Sequence, residues 1–400
     1  MSRSSLELAT VFRKHGKQYR QKHRLPLQQL RVMRAIETCR TAALGGFVES
    51  CGQCDYQRHV YHSCRNRHCP KCQSLARAKW LVRQQAELLP VDYHHVVFTI
   101  PEQLAAIALQ NPKIVYDILF RTSAQTLLTI AGDPKHLGAD IGFFSILHTW
   151  GQNLLLHPHV HCVVTGGGLS ACRSRFVHSK PRFFLPVRVL SKLFRKLFLD
   201  QLLAAFERRE LAFHGSLAEL RFPRLFGRLL SQMARLKWVV YSKPPFGGPQ
   251  QVLAYLGRYT HRIALSNDRI LSLGDDGAVT FQYKDYRAAD SQRSRSMTVG
   301  GEEFIRRFLL HTVPLRFQRI RHYGILCNRQ RKANLVLCRQ LLDEERVDSA
   351  LLPCLAAAIT VLTVPPVAKE SLCPQCRKAY LRAVGLSPIR WPAVDRLDSS

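Results

Sequence analysis

The sequence is short of acids. Its 400 residues carry 28 Asp and Glu against 59 Lys and Arg, a formal net charge of +31. A compact chain with this imbalance repels itself unless a polyanion relieves the charge. Nucleic acid is the natural partner, because each phosphate neutralised releases counterions. An anionic membrane surface would call for a basic amphipathic helix or an anchor, and neither is found. No apolar run approaches the ~20 residues that cross a bilayer. The opening MSRSSLELATVFRKHGKQYRQKHR has no apolar stretch ahead of a small-residue cleavage site, so a secretory signal is not expected. Repeats and low-complexity tracts are missing too, and a hydrophobic fraction of 46% argues against wholesale disorder. The expectation is a globular protein of a reducing compartment, the cytoplasm, with DNA as its partner. Its 13 cysteines then read as metal ligands and buried thiols rather than disulfides.

Coarse patterning points to an α+β fold with a central, largely antiparallel sheet and flanking helices. Residues 1–48 read as basic and helical. Leu27, Leu30, Val32, Met33 and Ile36 form an apolar stripe after Pro26, and Gly45 and Gly46 stop it. Residues 95–100, 141–147 and 160–165 read as strands, the last ended by Gly166, Gly167 and Gly168. A short strand is predicted over 238–241, and a hairpin over 269–286 turning at Asp275-Asp276-Gly277. Helices are predicted over 102–130 and about 187–211. The organisation expected is a basic helical region (1–48), a Cys-, His- and Arg-rich module (49–90) and a domain of mixed strands and helices (91–290) that holds the motifs described below. A basic, mostly helical C-terminal region with a Cys pair (291–400) follows.

Residues 49–75 are dense in Cys, His and Arg and have little apolar matter, so they need a staple rather than a core. Cys51-Gly-Gln-Cys54 and Cys69-Pro-Lys-Cys72 are two C-x2-C pairs separated by 14 residues. Each pair sits on a turn that aims two thiolates at one ion, and two pairs close a tetrahedral zinc site. Cys64, His62 and His68 leave open a replaced ligand or a second ion. Cys39 reads as a core thiol. Arg58, Arg65, Arg67 and Lys71 surround the pairs, so the module itself is expected to touch DNA.

The segment His157-Pro-His159-Val-His161-Cys162 carries the chemistry. In a strand, residues two apart share a face, so His159 and His161 converge while Val160 and Cys162 turn to the core. Two imidazoles with open coordination positions form a metal site able to polarise a phosphate oxygen. The third ligand is Gln152, with His148 as the alternative. Phosphoryl chemistry with open sites favours Mg2+ or Mn2+, while imidazole favours zinc.

Tyr255 and Tyr259 lie four apart in AYLGRYTHRIALSN, and so on one helical face. A tyrosine hydroxyl can attack a phosphodiester and form a phosphotyrosine. Arg258, Arg262 and His261 supply positive charge beside it, and both arginines are expected to contact DNA. The alternative is an aromatic stripe packed on the sheet.

Taken in order, these motifs resemble the His-hydrophobe-His endonucleases of rolling-circle replication and, more closely, the insertion-sequence 91 family of transposases. The resemblance runs through VVFTIP at 96–101, HTWGQNLLLHPHVHCVVTGGGL at 148–169, AYLGRYTHRIALSN at 254–267 and RFQRIRHYGIL at 316–326. It implies that His159 and His161 hold the catalytic metal and that Tyr255 and Tyr259 are the nucleophiles. It implies cleavage of single-stranded DNA at element ends through a 5′-phosphotyrosine, in a bacterial, nucleoid-associated enzyme. The family's C-terminal C-x2-C recurs as Cys373-Pro-Gln-Cys376, with no clear second pair to complete a second zinc site. A non-catalytic zinc-dependent regulator and a plasmid replication initiator are the competing readings.

Overall fold

The four strands expected over 95–100, 141–147, 160–165 and 238–241 become consecutive neighbours in the largest sheet, and the second and third extend beyond their apolar cores. The computed structural model describes residues 6–85, 87–180, 184–243, 263–285, 294–348 and 372–387. The strands are β1 (Gly46–Cys51), β2 (Gln57–Tyr61), β3 (Tyr93–Thr99), β4 (Asp140–Trp150), β5 (Leu156–Leu169) and β6 (Phe176–His178). They continue with β7 (Val240–Lys243), β8 (Ile270–Leu273), β9 (Ala278–Lys284), β10 (Ser294–Gly300), β11 (Ile320–Gly324) and β12 (Leu381–Ser387). All named pairings are antiparallel. The chain divides into two compact units, one of residues 79–264 with 307–351, the other of residues 1–78, 265–306 and 352–400.

The first of these units is built on the six-stranded sheet, ordered β11-β4-β5-β3-β7 with β6 against β5. One face carries Val96, Phe98, Phe143, Leu147, Val160, Cys162 and Val164, packed under helices Pro112–Gly132 and Val187–Glu207. The opposite face carries Phe144, Ile146 and Val163, packed with Trp80, Leu335, Cys338 and Leu342. Those residues come from helices Pro70–Gln85 and Arg331–Asp348. Burial on both faces explains why Cys162, Val163 and Val164 follow one another without a polar residue between them.

The glycine run does not end β5, as its sequence suggested. The strand continues through Gly166, Gly167 and Gly168 to Leu169. A Cβ on Gly166 would lie 2.8 Å from the Asp92 carbonyl oxygen, and one on Gly168 2.2 Å from that of Asp140. These glycines let neighbouring backbones close on the strand. The largely helical reading of residues 291–400 also gives way. Helices Gly301–Leu309 and Arg331–Asp348 are present, but β10, β11 and β12 interrupt the region. β11 is only five residues long and is made by its register against β4, Ile320 opposite Ile146 through Gly324 opposite Gly142. A strand this short, rich in His, Arg and Tyr, has no periodicity of its own to read.

In the other unit, helices Leu8–Lys22 and Leu27–Thr38 pack together and bury Leu8, Val11, Phe12, Val32, Met33 and Ile36. The hairpin β8–β9 turns at Asp275 and Asp276, with Gly277 at φ +83°, and β10 extends it into a three-stranded sheet. A second sheet has the order β12-β1-β2. Among the described residues, no helix is long and apolar enough to cross a membrane.

Candidate active site and metal centres

The sheet face that holds Phe144 and Val163 becomes polar toward the start of β5. Register places His159 opposite His148 of β4 and Thr99 of β3, and His161 opposite Ile146 and Val97. Strand period therefore brings three imidazoles to one patch. The ligand atoms of His148, His159 and His161 all lie within 4.8 Å of one another. His148 and His161 are buried, while His159 is half-buried and His157 beyond it is exposed, so the group opens to solvent at that end of the strand.

Hydrogen bonds set the rings. His159 Nδ1–H donates to the His157 carbonyl at 2.6 Å, which directs Nε2 outward as the ligand atom. His161 Nδ1 meets His95 Nε2 at 2.8 Å, and the two rings stack at an angle of 7°. A ring so engaged offers Nε2 to an ion. Burial pushes His95 down to about 3, helped by the charges of Lys243 and His159. It is therefore neutral at working pH and acts as a hydrogen-bond partner. His95 was missed as a site residue. The only signal was its phase on β3, where it shares a face with Val97 and Thr99 across from His161.

The three-nitrogen donor set fits a divalent transition ion with open positions. The third imidazole comes from His148, whereas Gln152 lies in the turn 151–155 past the end of β4. His311 supports that turn. Its Nε2–H donates to the Leu154 carbonyl at 3.0 Å and its Nδ1 accepts from Thr149 Oγ1 at 3.3 Å.

The cysteines gather differently from the expectation of Cys51, Cys54, Cys69 and Cys72 around one ion. Two groups of four form instead: Cys39, Cys64, Cys69 and Cys72, and Cys51, Cys54, Cys373 and Cys376. Within the first, Cys72 Sγ lies 3.6 Å from both Cys39 Sγ and Cys64 Sγ. Cys39 follows helix Leu27–Thr38, and Cys72 lies in the first turn of helix Pro70–Gln85. Contact with Cys64 and the backbone N–H of Cys72 outweigh burial and hold the Cys69 thiol down to about 5. Cys39 is thus part of a thiol group rather than a core filler, and His62 and His68 stand outside both groups. The spacing within each C-x2-C pair is local and was read correctly. Which pairs meet is decided by β12 joining β1, with Leu381 opposite Cys51. Four thiols at this separation suggest zinc-binding modules, since the edges of a Zn–S4 tetrahedron are about 3.8 Å.

Of the proposed DNA contacts, Arg65 is exposed, with φ +51°. Arg67 is half-buried, and Lys71 is engaged by Glu7 at 2.7 Å. That ion pair takes part of the charge Lys71 would offer to a phosphate. Tyr255, Tyr259, Arg258, His261 and Arg262 lie outside the described residues.

Comparison with known proteins agrees with this layout. Residues 11–100 match the family described as "Transposase zinc-binding domain", and residues 142–334 match the family described as "Putative transposase". The histidine group falls in the second region and the Cys39 group in the first. The chain is 57% identical over 343 residues to "Putative transposase y4qJ" of Sinorhizobium fredii, covering 86% of this chain and 85% of that protein. It is 28% identical over 296 residues to "Transposase for insertion sequence element IS801" of Pseudomonas savastanoi pv. phaseolicola, covering 73% and 68%. No solved structure matches. With its zinc-binding region, its histidine-bearing sheet and a relative that shares more than half its residues over most of both lengths, the chain belongs to the insertion-sequence 91 family of transposases.

Proposed function

We propose that this transposase cleaves and rejoins single DNA strands at the ends of its mobile element, in a rolling-circle-type reaction with Tyr255 and Tyr259 as nucleophiles. The observation that carries this reading is the group of His148, His159 and His161 on one face of two neighbouring antiparallel strands, β4 and β5, open at one end. A bound divalent ion would withdraw charge from the scissile phosphate. Of Mg2+ and Mn2+, the nitrogen donors favour Mn2+, since Mg2+ prefers hard oxygen ligands. His95 would hold His161 in orientation, and the His157 carbonyl would do the same for His159.

In the cleavage step a tyrosine Oη attacks phosphorus and the bond to the 3′ oxygen breaks. The leaving oxygen takes up a proton, giving a 3′-OH and a 5′-phosphotyrosine. Strand transfer reverses the exchange on a new 3′-OH. The +31 formal charge supports binding to many phosphates, and exposed Arg65 is one candidate contact.

The test is covalent capture of an end-labelled single-stranded oligonucleotide on denaturing gels. The expected result is a metal-dependent adduct that disappears in the Tyr255→Phe/Tyr259→Phe double variant while the native gel shift remains. A gel shift from wild-type protein that never yields an adduct would favour the non-catalytic regulator.

A further inference from the structure

We infer that Cys51, Cys54, Cys373 and Cys376 bind a second structural zinc, and that this zinc clasps a C-terminal hairpin onto the zinc-binding region. Cys51 Sγ lies 3.6 Å from Cys376 Sγ, and Cys54 Sγ lies 3.6 Å from Cys373 Sγ. All four sulfurs are within 4.8 Å of one another. That spacing is far beyond the about 2.05 Å of a disulfide and close to the about 3.8 Å edge of a tetrahedral zinc–thiolate site.

The two halves of the site are built alike. Cys51 N–H donates to the Tyr56 carbonyl at 3.0 Å, and Cys373 N–H donates to the Ala379 carbonyl at 2.8 Å. Each bond closes a tight turn around a C-x2-C pair. The Gln53 N–H points at Cys51 Sγ at 3.4 Å, and the Lys378 N–H bonds the Cys376 sulfur. Backbone N–H groups aimed at sulfur stabilise the thiolate form that a metal requires. Leu372 pairs with Tyr380 as an isolated bridge, and β12 then adds to β1 in the register Cys51 opposite Leu381.

Apolar packing cannot hold this arrangement. The buried cluster here contains Cys51, Cys373 and Leu381, with Cys54, Tyr56, Cys376 and Ala379 partly buried around it. Leu386 and Val384 of β12 are exposed. A module with so little core needs a metal to stay closed. Binding would release thiol protons to solvent, and no electron moves. Cys51 and Cys54 lie within the match over residues 11–100, whereas Cys373 and Cys376 lie beyond both matched regions, so neither family match covers the complete site.

The test uses full-length, zinc-loaded protein and does not depend on DNA cleavage. Mercurial titration with a zinc indicator counts only zinc held by thiolates. The expected result is two zinc ions released from wild type and one from Cys373→Ser/Cys376→Ser. Alkylation mapping of wild type decides independently of how that variant folds. Cys373 and Cys376 should be protected together with Cys51 and Cys54, while exposed Cys172 reacts at once. All four should become reactive in one step on chelation. Release of a single zinc from wild type, or labelling of Cys373 and Cys376 as fast as Cys172 in zinc-loaded protein, would overturn the inference.

Discussion

The histidine-bearing sheet and the cysteine-bearing module gather metal-ligand residues by opposite routes. On β4 and β5 the ligands ride on a core that would exist without them: Phe98, Phe120, Phe194 and Phe198 are fully buried under the same strands. Around Cys51 and Cys373 the ligands are most of the core. The first arrangement places open imidazoles on a rigid support, which suits chemistry. The second closes four sulfurs around a point, which suits structure and leaves no open position for water. Removing a ligand should therefore silence the first region and unfold the second.

The largest expected effect breaks the first half of that contrast. His148→Ala should slow strand cleavage roughly a thousandfold, the consequence of losing several kcal/mol of charge stabilisation. Its melting temperature and DNA affinity should stay near wild type. Gln152→Ala should have a much smaller effect in the same oligonucleotide assay. A reversed ranking would make Gln152, rather than His148, the third ligand.

Phe98→Ala tests the support instead of the site. Phe98 is buried against Phe194, with ring centroids 4.9 Å apart. Its truncation should cost about 3–5 kcal/mol in chemical denaturation, and the surviving folded protein should still bind the catalytic ion. Cys39→Ala is the matching test of the module. It should abolish one thiolate-bound zinc and unfold residues near it, as limited proteolysis would report. Retention of that zinc would return Cys39 to the role of a buried thiol.

Acid should weaken the sheet-bearing unit through His311. Burial pushes its folded pKa down from 6.5 to about 4. Below about 6.5 the unfolded chain takes up a proton that the folded ring refuses, so unfolding is favoured increasingly as pH falls. The loss should grow between about 6.5 and about 4 and then level off. Denaturation midpoints across that range should shift less in His311→Asn than in wild type, after allowing for that variant's own lower stability.

The smallest effect expected is at His95. His95→Asn should weaken binding of the catalytic ion about 10- to 100-fold, the range for a partner that orients a metal-ligating histidine. Calorimetric titration with Mn2+ would measure it. Unchanged affinity would make the His95–His161 contact a packing feature.

Strand period was legible in the sequence wherever a strand was long and buried. The alternation His159-Val160-His161-Cys162 put the two imidazoles on one face and Val160 and Cys162 in the core, because side-chain direction alternates from one residue to the next. The C-x2-C pairs were legible for the same reason: two thiols on one turn are a local matter. The sequence by itself therefore determined the strand faces, the local C-x2-C pairs, the α+β class and the charge that calls for a polyanion. Only the tertiary structure decided which cysteine pair meets which, that His148 faces His159 across two strands, and that residues 320–324 extend the central sheet. Each of those depends on partners far apart in the chain, from the β1–β12 pairing that joins Cys51 to Cys376 to the β4–β5 register. Such contacts are set by pairing register and burial across the whole fold, and no window of neighbouring residues contains that information.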